Sequence, residues 1–70
     1  MKENHLYFGQ FNWYGETFRV WKHAPNVNKA YFLMIRELGQ KMGLSEYRLR
    51  QYFNGSKDNY KVERRIRKGE

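Results

Sequence analysis

Pro25 is the only proline among 70 residues, and it separates two kinds of hydrophobic spacing. A proline donates no amide to a β-ladder and biases the residue before it away from helix. The Ala24-Pro25-Asn26 stretch therefore has to end one element and allow another to begin. Upstream, Leu6–Tyr14 (LYFGQFNWY) is dense in aromatics and interrupted by Gly9, a composition suited to a strand and poor for a helix. Tyr14-Gly15-Glu16 offers a tight turn with glycine where a positive φ is needed. Thr17–His23 (TFRVWKH) reads as a second strand, with Phe18 and Val20 on one face and Arg19, Trp21 and His23 on the other. The two form a hairpin. An isolated hairpin is only marginally stable in water, so one of its faces has to pack on the elements downstream.

Downstream the period changes. Asn26 or Asn28 can cap a helix over Asn28–Met42 (NKAYFLMIRELGQKM), in which Tyr31, Met34, Ile35, Leu38 and Met42 recur at spacings of three and four while Lys29, Arg36, Glu37, Gln40 and Lys41 stay polar. Phe32 and Leu33 widen the apolar side beyond a narrow stripe, as a helix lying across a sheet and touching a second helix requires. Gly43 can close this helix in the left-handed conformation, and Leu44 can pack back on its last turn. Ser45 and Glu46 then supply an N-cap side chain and a first-turn carboxylate for a second helix. Leu49, Tyr52 and Phe53 fall on its inner face, leaving Glu46, Tyr47, Arg50 and Gln51 outside. Leu38, Met42, Leu44, Leu49, Tyr52 and Phe53 can close one small core around the turn.

Met42-Gly43-Leu44-Ser45, then Leu49, then Tyr52-Phe53-Asn54-Gly55, resembles the helix-turn-helix of phage-repressor-like DNA-binding proteins. The resemblance covers residues 38–55. It implies that the second helix enters a DNA major groove, with Ser45, Glu46, Tyr47, Arg50, Gln51 and Asn54 as base-contacting positions. Two features depart from that family: Gly39 stands where alanine is usual, and the flanking chain is not a bundle of helices. The overall layout, with Ala24-Pro25-Asn26 leading into Lys29-Ala30 and a helix, is also similar to small phage-encoded proteins that bind and inhibit host machinery such as RNA polymerase. That second likeness implies a protein partner with an acidic surface.

After a turn-like Ser56–Asn59, the stretch Tyr60–Ile66 (YKVERRI) alternates Tyr60, Val62 and Ile66 against Lys61, Glu63, Arg65 and Arg67, with Arg64 out of pattern. A third strand pairing with the hairpin is the natural assignment. A helix remains open, since Val62 and Ile66 are also four apart. The expected fold is α+β in the order ββααβ, a three-stranded antiparallel sheet with helices on one face, forming a single domain over 1–70 with residues 1–5 and 67–70 frayed.

Fourteen basic residues against seven acidic give a net charge of +7, which favours polyanionic partners, nucleic acid or an acidic protein surface. There is no cysteine, and therefore neither a disulfide frame nor a thiolate metal site. No apolar run approaches the roughly 20 residues that span a bilayer, and Met1–His5 does not lead into a signal-peptide core. The expectation is a soluble, cytoplasmic protein that uses no membrane and no cofactor. His5 and His23 are the only neutral-pH bases, and no Ser/His/Asp, paired-carboxylate or HExxH arrangement exists. This reads as a non-enzyme.

Three surfaces are candidates for binding. The second helix carries Arg50 and Gln51, whose side chains can pair bidentately with guanine and adenine edges. Arg48, Lys57, Lys61, Arg64, Arg65, Arg67 and Lys68 suit phosphate contacts that position without specifying. The sheet face away from the helices, with Tyr7, Trp13 and Trp21 as candidate aromatics, could stack the bases of RNA or another single strand. Duplex DNA is the leading partner, an acidic protein surface the alternative, and RNA or another single strand on the sheet the third.

Overall fold

The computed structural model describes residues 4–65. Its elements run β1 (His5–Trp13), β2 (Glu16–Ala24), α1 (Val27–Met42), α2 (Glu46–Tyr52) and β3 (Tyr60–Arg65), an α+β fold in the order ββααβ. The sheet is antiparallel throughout, with β1 in the centre and strand order β2-β1-β3. Within the 60–66 segment, Tyr60–Arg65 is thus a strand and not a helix. Ile66, Arg67 and Lys68 lie outside the described residues.

The hairpin turns through Tyr14 and Gly15, with φ of 49° and 89°, between the paired residues Trp13 and Glu16. Two successive positive φ angles match the twist of the flanking strands, the arrangement that favours tight two-residue hairpins. β1 begins at His5, which pairs with Ala24, so His5 belongs to the sheet and not to a frayed end. Gly9 does not interrupt the strand. A methyl group at that position would overlap Met34 Sδ, so the glycine is where α1 seats its methionine against the central strand.

Asn26 caps α1, its Oδ1 accepting from Lys29 N at 2.9 Å, and the helix starts at Val27. At the other end Gly43 adopts φ 70°, and both its own amide and that of Leu44 donate to Gly39 O. Such a left-handed closure folds the chain back sharply. Gly39 sits at the contact this creates, because an added Cβ would lie 2.7 Å from Leu44 O. The space that an alanine would need is already filled by backbone, which is the physical reason for glycine here.

Phe11, Val20, Ala24, Ala30, Met34, Ile35, Leu38, Leu49 and Phe53 form the buried centre between the helices and one face of the sheet, with Tyr7 at its margin. One end of this core is aromatic. The Phe11 and Tyr60 rings stack with centroids 5.6 Å apart, Phe53 meets Phe11 edge-on at 5.1 Å, and Trp13 meets Tyr52 at 4.6 Å. Met42, Leu44 and Tyr52, expected in the core, are only partly buried and pack at its edge. Phe32 is 45% exposed and lies beneath the Arg50 guanidinium.

Candidate nucleic-acid interface

α2 is short, and its sequence divides it sharply. Ser45 Oγ accepts from Arg48 N at 3.1 Å to start the helix, and Leu49 and Phe53 are buried against α1 and the sheet. At 100° per residue this places Tyr47 and Gln51 on the outermost stripe, with Arg48 and Arg50 on its two flanks. All four are exposed, Tyr47 by 67%. The Arg50 guanidinium stands 5.6 Å from the centroid of the Phe32 ring, a contact that steadies the arginine while leaving its donors available. Neither Arg48 nor Arg50 forms an ion pair among the described residues, whereas Glu46 is engaged with Arg36 at 3.7 Å.

The residues expected to contact bases therefore divide into two groups. Tyr47, Arg50 and Gln51 share an outward face, and Arg48, expected on phosphate, joins them. Ser45 and Glu46 are at the helix start with their side chains engaged in the cap and the Arg36 pair. Asn54 lies beyond the helix, where its Oδ1 accepts from Ser56 N at 3.0 Å and Ser56 Oγ at 2.6 Å, folding the turn that follows.

Among the described residues, the basic side chains of the C-terminal part, Lys57, Lys61, Arg64 and Arg65, are not gathered on one surface. Lys57 lies close to α2, its Nζ 4.7 Å from the centre of the Tyr52 ring. Arg64 shares the helix-facing side of β3 with Tyr60 and Val62, while Lys61 and Arg65 point to the opposite face and both pair with Glu63, at 3.5 and 2.8 Å. A groove of about 930 Å³ separates the first half of α1 from β3 and the preceding loop, lined by Tyr31, Phe32, Phe53, Tyr60 and Val62 among others. The Tyr31 hydroxyl donates to Phe53 O at 2.6 Å across its floor, and burial pushes the Tyr31 pKa up. The tyrosine stays a neutral donor and anchors the end of α2 to α1. Asn59 anchors it again, donating from Nδ2 to Tyr52 O at 3.0 Å while its backbone carbonyl accepts from Asn12 N at 2.8 Å.

On the sheet, cross-strand partners share a face, so the register decides which aromatics are accessible. Tyr7 and Trp13 belong to the helix-facing side, with Phe11 and Gly9, and do not line the open face. Trp21 does, being 53% exposed, and its partner there is Phe8, a residue not anticipated from the sequence. Counting back from the turn would have found it: if Trp13 opposes Glu16, then Phe8 opposes Trp21.

His5 and His23 face opposite sides of the sheet. Among the described residues there is no group of three or more His, Cys, Asp or Glu side chains close enough to hold a metal ion, and no helix long and apolar enough to cross a membrane. No family model, curated protein or solved structure significantly matches the chain.

Proposed function

We propose that the protein is a regulatory nucleic-acid-binding module that reads duplex DNA with the outer face of α2. The observation that carries this reading is the composition of that face: Tyr47 and Gln51 flanked by Arg48 and Arg50, all exposed, with the nearby carboxylate of Glu46 engaged by Arg36. Arginine can donate two bonds to guanine O6 and N7, glutamine can pair with adenine N6 and N7, and an aromatic edge can meet a thymine methyl. The tight turn at Gly39, Gly43 and Leu44 supports the reading further, since it fixes α2 on α1 and leaves the outer face uncovered. Lys57 beside α2 is a candidate phosphate contact.

The test is binding to a duplex selected from a random pool, at two salt concentrations, for the wild type and for Arg50→Ala combined with Gln51→Ala. Each specific base contact contributes about 1–3 kcal/mol, so the double variant should lose at least tenfold in affinity for the selected site while its binding to random duplex changes far less. Unchanged sequence preference would sink the proposal and leave the basic surface to an acidic protein partner.

A further inference from the structure

The face of the sheet away from the helices is a second surface, built differently from α2. Three rows cross it: Trp21, Phe8 and Glu63; Arg19, Gln10 and Lys61; and His23, Leu6 and Arg65. Thr17 and Asn12 extend it toward the hairpin turn. The Phe8 and Trp21 rings lie 4.5 Å apart between centroids at 46°, and the Arg65 guanidinium covers Phe8 from the other side at 5.1 Å. Phe8 is thereby reduced to 9% exposure, while Trp21 keeps its outer surface free. Among the described residues, three cations and one carboxylate occupy the face. Arg19 makes no ion pair among the described residues, and Glu63 is shared between Lys61 and Arg65.

We propose that this face binds single-stranded nucleic acid, with a base stacked on Trp21 and phosphates held by Arg19 and Lys61. Each part of the surface matches a part of that ligand. An exposed indole flanked by a second ring offers a stacking plane that any base can use. Arg19 and Lys61 stand on either side of Gln10, one strand spacing away on each hand or about 5 Å. Cations then bracket an uncharged donor and acceptor that can meet a base edge. A nucleic-acid strand carries a flat base beside every phosphate, whereas an acidic protein segment would have to set an aromatic side chain among its carboxylates to meet both Trp21 and the cations, and a second copy would bring the same three cations against these. A single strand satisfies both requirements. Glu63 tempers the site: it holds Arg65 over Phe8 but competes with phosphate for Lys61.

This inference is independent of the duplex reading, because α2 lies on the opposite side of the sheet. The experiment is an anisotropy titration of fluorescein-labelled dT10 with the full chain near 50 mM salt, which reads every variant, together with intrinsic indole emission in a Trp13→Phe background that leaves Trp21 as the sole indole. Emission should be quenched on binding. Trp21→Leu should weaken binding roughly 5- to 150-fold, the range that loss of one stacked base covers, whereas Trp21→Phe should retain most of the affinity. Arg19→Ala, an exposed change with no packing role, should weaken it severalfold and flatten its salt dependence. Glu63→Gln should tighten it. Arg48→Ala with Gln51→Ala should leave dT10 affinity unchanged while lowering duplex affinity, so the two proposals fail separately. Binding of dT10 that is indifferent to Trp21→Leu and Arg19→Ala overturns the proposal, as does equal competition by polyglutamate at matched charge. A dimer in sedimentation that Trp21→Leu dissociates would overturn it too, assigning the face to a second copy.

Discussion

Two glycines show how closely individual residues constrain this chain. Gly39 lies where the turn backbone approaches α1, and a β-carbon there would meet Leu44 O at 2.7 Å. A carbonyl in a closed turn cannot step aside as a side-chain end can, so the helices would have to separate. Gly39→Ala should cost about 1–3 kcal/mol, the usual scale of forced overpacking, despite alanine's better helix propensity. Urea denaturation measures this directly, and a stabilised variant would show that the turn has room the structure denies it. Gly39 looked anomalous in the sequence because it departs from the pattern around Met42-Gly43-Leu44-Ser45. The contact that explains it joins α1 to its own turn, and spacing alone does not express how near two backbones come. Gly9 carried the same ambiguity: in the sequence it read as an interruption, and only the seat of Met34 accounts for it.

Among the elements, those with one clear period were legible in advance. α1 followed from its three-and-four spacing and the Pro25 boundary, α2 from the Ser45 cap, and β2 from the alternation of Phe18 and Val20 against Arg19, Trp21 and His23. β1 was legible as a strand but not by face, because Leu6 and Phe8 on one parity and Tyr7, Phe11 and Trp13 on the other are all apolar. Its central position between β2 and β3 makes that pattern sensible, since a ring on either face finds cross-strand neighbours. Lys22 was similarly unreadable: it shares the helix-facing side with Val20, yet escapes burial by reaching Glu37 on α1 at 2.5 Å. Glu37 also meets Lys41 at 3.5 Å. The hydrogen bond from Lys22, ahead of the attraction of the two lysines, holds the Glu37 carboxyl below its ordinary value of 4.5. Between that depressed value and 4.5 the unfolded chain binds the proton more readily than the folded one, so the tie between α1 and β2 is fully present above pH 4.5 and lost as the pH falls through the folded value. Glu37→Gln should therefore destabilise the protein at neutral pH, by at most about 1 kcal/mol for so accessible a pair, and should flatten the acid limb of its stability profile. Identical acid limbs for the two proteins would remove this pair from the account.

At the scale of the whole molecule, the sheet separates two chemically different surfaces. The helix side presents α2 with Tyr47, Arg48, Arg50 and Gln51, and the other side presents Trp21, Phe8, Arg19 and Lys61. The net charge of +7 favours polyanions over the whole surface. What separates a reading surface from general attraction is therefore where contact is made and how it survives salt, since interactions beyond about 8 Å are largely screened at physiological ionic strength. Composition alone could not distribute the basic residues between the faces. Lys61, Arg64 and Arg65 are neighbours in sequence, yet the strand sends Arg64 to one side and the other two to the opposite side. Whether α2 reads duplex DNA is decided by amide and side-chain chemical-shift mapping of the full chain with a selected duplex at 150 mM salt. Shifts should concentrate on Tyr47, Arg48, Arg50 and Gln51 and extend to Lys57, with the Trp21 indole unmoved. Shifts of similar size at Arg19, Lys61, Arg64 and every other exposed cation, fading together as salt is raised, would contradict that reading and reduce the interaction to charge.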